Sequence, residues 1–218
     1  MTKEIDPVIR DFDSLYDTYS LTAVVADCQR RTGIMDSGIK PIDRSKKLIG
    51  RAVTVELSPG DLQDPLDALQ HVVPGAVVVV NAHGDTEVSV LGGLMGALFQ
   101  LKGARGVVID GACRDTDENR DQGFPVFSRA VTPRGTHTMF SGRREDISYQ
   151  VPISCGGIQV NPGDVIIGDE MGVVVVPADS AAEVFDAARE QADREEATRE
   201  KIRAGWTVQQ ILDEFGRI

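Results

Sequence analysis

The sequence predicts an α/β fold, and this prediction rests on two apolar runs with a helix between them. Residues 76–81 (AVVVVN) and 107–110 (VVID) consist almost entirely of Val and Ile, while residues 92–101 space apolar side chains for one helix face. Such runs are typical of strands covered on both faces, and their alternation with helices is typical of α/β proteins. Residues 50–57, rich in β-branched side chains, predict another strand.

The chain beyond residue 120 predicts a β-rich second half. Short apolar segments between turn residues predict strands at residues 126–130, 157–160, 165–168 and 173–176, with a hairpin turn at 169–172. A further helix is predicted at residues 64–72. No linker or internal repeat divides the chain, so residues 1–218 are predicted to form a single domain.

Helices are predicted at both ends of the chain. Residues 1–35 predict one or two N-terminal helices, and Ser20 is the expected cap of the second. Residues 181–218 predict a C-terminal helical extension that begins with the capping-box pattern of Ser180 and Glu183. Most of this extension is dense in Ala, Glu and Arg, so we expect it on a surface or against a neighbouring subunit.

Composition excludes several classes of partner. The formal net charge of −11 disfavours contact with a phosphate backbone, so no nucleic-acid partner is expected. Three cysteines without a C-x-x-C spacing predict neither a disulfide framework nor a zinc site. The start of the chain lacks the apolar core of a signal peptide, and no apolar run approaches the roughly 20 residues that span a bilayer. We therefore expect a cytoplasmic protein without a membrane partner.

The main candidate for chemistry is the segment at residues 106–115 (GVVIDGACRD), where Arg114 and Asp115 follow a buried strand. Ligands of α/β proteins bind beyond the carboxyl ends of strands. The Arg114 guanidinium suits a carboxylate, and the Asp115 carboxylate suits Mg²⁺. Together they would hold a 2-oxo acid between a cation and a metal ion. The alternative is a surface ion pair, which is common and contributes little.

A second candidate is the glycine cluster at residues 92–96 (GGLMG), which begins a helix. Free backbone N–H groups at a helix start bind anions, and Gly92 and Gly93 allow a ligand to approach closely. A substrate carboxylate would fit there. No Lys-Ser or Lys-Thr pair follows, so this is not a phosphate loop. The alternative is a tight turn with close helix packing.

Other residues keep a functional and a structural interpretation. His83 follows a strand and would line a pocket, or it is an ordinary polar residue. Cys113 lies beside Arg114, whose charge would lower the pKa of the thiol, or it is simply a small residue at a strand end. Glu195 and Glu196 belong to an acidic helix that is by default a solvated face.

Taken together, these segments resemble the RraA-like family. That family contains the 4-hydroxy-4-methyl-2-oxoglutarate and 4-carboxy-4-hydroxy-2-oxoadipate aldolases and the ribonuclease E activity regulator A. The matching segments are GRAVTV, PGAVVVVNAHGD, GGLMGALFQLKGARGVVIDGACRD, GFPVFSR and NPGDVIIGDEMGVVVVP, at residues 50–55, 74–85, 92–115, 123–129 and 161–177.

The resemblance implies a swivelling β/β/α core that assembles as trimers or hexamers with active sites between subunits. It implies that Asp115 binds Mg²⁺ or Mn²⁺ and that Arg114 contacts the pyruvyl group of a small 2-oxo acid substrate. Backbone N–H groups of Leu94 and Met95 are implied to bind the substrate carboxylate. A glutamate from the C-terminal region of a neighbouring subunit is also implied in the site.

Glu195 and Glu196 are the candidates for that glutamate. Where this chain has Gly93, the aldolases usually carry Asp or Glu, which helps to position a water for proton transfer. Aldol cleavage and oxaloacetate decarboxylation both form the enolate of pyruvate. The decarboxylation would tolerate glycine at position 93.

The expected function is a metal-dependent class II pyruvate aldolase with oxaloacetate decarboxylase activity. The alternative is a non-catalytic regulator that binds ribonuclease E. Because the regulator form lacks the metal-binding Asp and has a shorter C-terminus, Asp115 and the C-terminal extension favour the lyase.

Overall fold

A mixed eight-stranded sheet forms the centre of the computed structural model, which describes residues 6–58, 65–136 and 147–216. Four parallel strands lie side by side in the order β5-β4-β3-β2. These strands are β2 (Leu48–Glu56), β3 (Ala76–Ser89), β4 (Gly106–Cys113) and β5 (Val126–Val131). The α/β prediction is therefore confirmed.

Antiparallel strands extend both sides of this parallel centre. β1 (Lys40–Pro41) pairs with β5, and β6 (Ser148–Tyr149) pairs with the end of β2. On the far side of β2, β9 (Val165–Asp169) and β10 (Gly172–Val176) form the predicted hairpin. β7 (Ile153–Cys155) and β8 (Ile158–Val160) form a separate two-stranded sheet. The β-rich second half is thus also confirmed.

The apolar runs of β3 and β4 are buried on both faces, which explains why polar residues do not alternate with apolar ones. One face packs in a cluster with Phe99 of α3 (Gly93–Leu101), and the other packs with β7 and β8. The side chains on the first face are Val78, Val80, Val107 and Ile109, and those on the second are Val77, Val79 and Val108.

Terminal helices cover the β9–β10 end of the sheet. α1 (Pro7–Asp13), α2 (Leu21–Cys28) and α5 (Ala181–Arg203) share one buried cluster with those strands. The rings of Phe12 and Phe185 meet edge to face, with centroids 5.5 Å apart. The first half of α5 therefore contributes to the core, whereas the sequence predicted this helix on a surface or against a neighbouring subunit; contact with a neighbouring subunit stays a prediction.

Ser20 and Ser180 occupy the predicted N-cap positions, but neither makes the predicted side-chain capping bond. Ser20 has a left-handed backbone and makes no side-chain capping bond, and Ser180 likewise does not cap α5. Its hydroxyl donates to Pro177 O in the 3₁₀ turn Ala178–Ser180 instead. A capping box that was not predicted from the sequence is formed by Thr207 and Gln210 at the start of α6 (Val208–Phe215).

The segment predicted as a helix at residues 64–72 forms the short 3₁₀ helix Leu66–Gln70, and residue 64 lies outside the described residues. Residues 1–5 and 217–218 of the predicted terminal helices also lie outside them. No helix in the described part of the chain is long and apolar enough to cross a membrane.

Candidate active site

The end of β4 brings the two predicted segments together. β4 continues three residues past the predicted end at Asp110, and Arg114 and Asp115 follow it directly. Arg114 N–H donates to Leu91 O at 2.9 Å, and Val90 N–H donates to Ala112 O at 3.1 Å. These bonds hold the end of β4 against the segment that leads into α3. The Arg-Asp pair and the glycine cluster therefore form one site.

The carboxylate of Asp115 lies at the start of α3. Its Oδ2 accepts a hydrogen bond of 3.1 Å from Gly93 N–H and lies 3.5 Å from Nε of Arg114. Both side chains are nearly half exposed, at 46% for Arg114 and 44% for Asp115. A negative charge is stabilised at a helix N-terminus. The pair is thus a surface ion pair, as the alternative proposed, but one placed at an anion-binding helix start.

Gly92 and Gly96 are required by close contacts. Gly92 has an extended backbone, yet a Cβ there would lie 2.5 Å from Asp115 Oδ2 and 3.1 Å from Arg114 Nε. A Cβ on Gly96 would lie 2.1 Å from Oδ1 of the fully buried Asn119. Asn119 in turn donates to Asp115 O at 3.0 Å through Nδ2. Close packing therefore explains part of the glycine cluster, and it also positions the Arg-Asp pair.

Leu94 and Met95 lie in the first turn of α3, where backbone N–H groups lack intrahelical partners. Leu94 is 77% exposed, whereas Met95 packs partly against the core. The predicted binding of a carboxylate by these N–H groups stays a prediction.

A segment that the sequence analysis did not single out supports Arg114. A Cβ on Gly135 would lie 2.6 Å from Nη1 of Arg114, so the guanidinium lies directly against this glycine. Ser89 N–H donates to Arg134 O at 2.7 Å, which attaches the segment to the end of β3. In the sequence, the sign of this contact is a lone glycine, Gly135, which lies 21 positions after Arg114.

Glu118 was also missed. It lies in α4 (Thr116–Asp121), three positions after Asp115, the residue that precedes this helix. A Cβ on Gly93 would lie 2.0 Å from Glu118 Oε2. The Glu118 carboxylate therefore occupies the space where a side chain at position 93 would begin.

An open depression of about 480 Å³ lies over Arg114 and Asp115. α4 and the end of β5 form its walls, and Arg120 and Thr132 contribute to its lining. No group of three or more His, Cys, Asp and Glu side chains among the described residues is arranged to hold a metal ion. Mg²⁺ in proteins often keeps several waters and is bound by one or two carboxylates together with its substrate. The half-exposed Asp115 carboxylate fits that kind of site.

The remaining candidates lie elsewhere in the chain. Glu195 and Glu196 form ion pairs with Arg199 on α5, and hydrogen bonding from Arg203 lowers the pKa of Glu196. Their predicted entry into a neighbouring subunit's site stays a prediction.

The contacts of His83 and the burial of Cys113 both favour a structural role over a functional one. The His83 ring contacts Leu57 O and lies 3.3 Å from Glu56 Oε1. Cys113 is fully buried, and burial raises the pKa of its thiol. The expectation that Arg114 lowers this pKa is therefore wrong.

Comparison with known proteins identifies the family of this chain. The model of a family described as RraA-like, Aldolase/RraA, matches residues 9–175. A protein of Halalkalibacterium halodurans named "Putative 4-hydroxy-4-methyl-2-oxoglutarate aldolase" is 32% identical over 192 residues, which cover 88% of this chain and 89% of the relative.

Solved structures share the whole fold. An uncharacterized protein from Pseudomonas syringae pv. tomato superimposes with a TM-score of 0.81 and 29% identity, covering 97% of this chain and 95% of that one. Streptomyces coelicolor RraAS2, described as an unusual member of the RNase ES inhibitor RraA protein family, superimposes with a TM-score of 0.76 and 29% identity. That match covers 91% of this chain and 100% of the other.

Proposed function

Because this chain belongs to the RraA-like family of aldolases and RraA proteins, we propose that it is a divalent-metal-dependent class II pyruvate aldolase. Its substrates would be 4-hydroxy-2-oxo acids of the 4-hydroxy-4-methyl-2-oxoglutarate type, and it would also decarboxylate oxaloacetate. The observation that carries the proposal is the contact of Asp115 with both Arg114 and the start of α3, beside an open depression that Arg114 and Asp115 line.

The proposed chemistry follows from where negative charge develops. In aldol cleavage the C4 hydroxyl loses its proton, the C3–C4 bond breaks, and its electron pair forms the enolate of pyruvate. Loss of CO₂ from oxaloacetate leaves the same enolate, which becomes pyruvate when C3 takes up a proton. Both reactions therefore need positive charge and hydrogen-bond donors around the 2-oxo acid group.

The chain offers such groups from two elements. The Arg114 guanidinium would bind the 2-oxo acid group through paired hydrogen bonds, and Gly135 behind it fixes its position. N–H groups in the first turn of α3, including those of Leu94 and Met95, would bind the carboxylate. Asp115 would hold Mg²⁺ or Mn²⁺, which supplies a Lewis acid for the carbonyl oxygen when bound.

We propose further that the protein acts as a homo-oligomer, a trimer or hexamer, with the site at an interface. α3 begins in the site and exposes an apolar stripe, Leu94, Leu98 and Leu101, whose exposed fractions are 77%, 41% and 84%. Contiguous exposed apolar surface marks interaction sites. A partner subunit seated on this stripe would lie beside Asp115, and Glu195 or Glu196 of the partner subunit is the candidate for completing the site.

The test is pyruvate release from 4-hydroxy-4-methyl-2-oxoglutarate and from oxaloacetate, with Mg²⁺ or with excess EDTA. The wild type is expected to release pyruvate only with the metal. Asp115→Asn should lower kcat/KM by at least about 10²-fold, whereas Asp121→Asn, which removes an exposed charge from the same helix, should not. Metal-independent release, or an active Asp115→Asn variant, would contradict the proposal.

A second candidate function is supported by the likeness to Streptomyces coelicolor RraAS2, which covers that whole chain. It is a regulator that binds an RNase E-type enzyme without catalysis of its own. A folded, metal-supplemented protein that releases no pyruvate but inhibits RNA cleavage by such an enzyme would favour this function.

A further inference from the structure

Glu118 occupies the space beside Gly93. An ideal Cβ on Gly93 would lie 2.0 Å from Glu118 Oε2 and 2.3 Å from its carboxyl carbon. The backbone of Gly93 has no positive φ, so its conformation does not require glycine. The close contact is with the far end of the flexible Glu118 side chain. Any side chain at position 93 would displace this carboxylate from the start of α3.

The two oxygens of the Glu118 carboxylate differ in their hydrogen bonds to the described residues. Gln122 Nε2 donates to Oε1 at 3.2 Å, and Gln100 Nε2 donates to Gln122 O at 3.2 Å. Oε2 accepts no hydrogen bond within residues 6–58, 65–136 and 147–216. α4 therefore presents a half-buried carboxylate whose Oε2 lies against the start of α3.

Two carboxylates thus meet at Gly93. Asp115 Oδ2 accepts the Gly93 N–H at 3.1 Å, and Glu118 Oε2 lies against the Cα of the same residue. Standard backbone dimensions then limit the separation of these two oxygens to about 8 Å. The Asp115 carboxylate is half exposed and available for a metal ion, while Glu118 Oε2 is available for a proton.

We propose that Glu118 is the proton-transfer group of this site, an inference that rests on the proposed aldolase function. During cleavage, the proton of the C4 hydroxyl passes through one water to the Glu118 carboxylate as the C3–C4 bond breaks. The electron pair of that bond forms the enolate. The protonated Glu118 then returns the proton through water to C3, which gives pyruvate and regenerates the carboxylate. A general base acting through one water typically contributes about 10²- to 10⁴-fold.

Oxaloacetate decarboxylation distinguishes this role from a structural one. That reaction breaks a bond to CO₂ and removes no hydroxyl proton, so Glu118 takes up no proton and C3 receives its proton from solvent water. Glu118→Gln, which keeps the bond from Gln122, is expected to lower kcat for aldol cleavage by at least about 10²-fold but to lower decarboxylation less than about tenfold. It should also slow exchange of the pyruvate methyl protons with D₂O, followed by NMR. A residue that only supports the fold would reduce both reactions equally.

Position 93 supplies a second pair of variants. Gly93→Ala displaces the Glu118 carboxylate without removing it, so it should reproduce the Glu118→Gln defect. The double variant Gly93→Asp with Glu118→Ala moves a carboxylate from α4 to α3, where Asp at a helix start is favourable. It should recover aldol cleavage at least about tenfold above Glu118→Ala alone. Asp121→Asn is the charge-matched control on α4.

Mn²⁺ binding, measured by electron paramagnetic resonance, provides the readout that does not depend on turnover. Glu118→Gln should bind Mn²⁺ as the wild type does, whereas Asp115→Asn should not. Loss of Mn²⁺ by Glu118→Gln would overturn the proposal, because Glu118 would then be a metal ligand. Equal loss of both reactions, or full aldol activity of Glu118→Gln, would overturn it as well. A folded, metal-loaded wild type without aldol cleavage, decarboxylation or methyl exchange would instead overturn the proposed function itself.

Discussion

Gly92→Ala tests whether the contacts at the start of α3 control activity. The new Cβ would lie 2.5 Å from Asp115 Oδ2, and ordinary contact begins near 3.4 Å, so this oxygen must retreat by roughly 1 Å. The backbone at Gly92 is extended and accepts any residue. The 3.1 Å bond from Gly93 N–H to Asp115 is weakened. Because this bond is half exposed, its loss costs about 1 kcal/mol, or roughly 2–4 °C in Tm for a chain of this size.

The effect of Gly92→Ala on turnover is expected to be much larger than its effect on stability. A displacement of about 1 Å at a catalytic group costs on the order of 10²-fold in rate. The assay is kcat/KM for pyruvate release, with Tm measured on the same samples. Gly163→Ala is the matched control, because it adds a Cβ in open space at φ +88°. It should lower stability by about 1–2 kcal/mol and leave kcat/KM unchanged. A Gly92→Ala enzyme within twofold of the wild type would refute the reasoning.

Three further outcomes are expected. Arg114→Lys replaces the planar guanidinium with a single ammonium group and should lower kcat/KM at least about tenfold. Arg189→Lys, on the exposed face of α5, should not lower it. Equal activities of the two variants would exclude substrate binding by two parallel hydrogen bonds from Arg114. EDTA should abolish turnover reversibly with a Tm change under about 2 °C, because in this proposal Asp115 would hold the metal with no ligand cluster around it among the described residues; unfolding on chelation would show a structural metal. Asp169→Ala removes a buried carboxylate that accepts hydrogen bonds from Thr22 N–H, Thr22 Oγ1 and Met171 N–H. It should lower the free energy of unfolding by about 3 kcal/mol, or Tm by roughly 6–12 °C. Glu170→Ala, at the neighbouring exposed position, should not, and equal Tm values for the two variants would contradict this prediction.

The sequence predicts an element correctly where its local pattern agrees with its burial in the fold. The Val and Ile runs of β3 and β4 predict strands buried on both faces, and the structure buries both faces. Because Arg114 and Asp115 directly follow a strand in the sequence, they are also predicted to lie at the carboxyl end of that strand. These features depend on residues close together in the chain.

Features that depend on tertiary contacts were missed or wrong. Ser20 and Ser180 are residue types that cap helices, but neither has the extended backbone of a capping residue, and neither side chain makes a capping bond. The packing of α4 on α3 places the Glu118 carboxylate against Gly93, 25 positions earlier in the chain. No local spacing encodes that contact. The absence of an acid at position 93 therefore acquires a structural explanation only when both helices are seen together.

The most direct test of the central claim is a crystal structure of the protein with Mn²⁺ and oxalate, which mimics the pyruvate enolate. The account predicts an anomalous manganese peak beside the Asp115 carboxylate, with oxalate between the metal ion and the Arg114 guanidinium, under the first turn of α3. A manganese peak elsewhere in the molecule, or oxalate bound away from Arg114 in a crystal that contains both ligands, would contradict the assignment of this site.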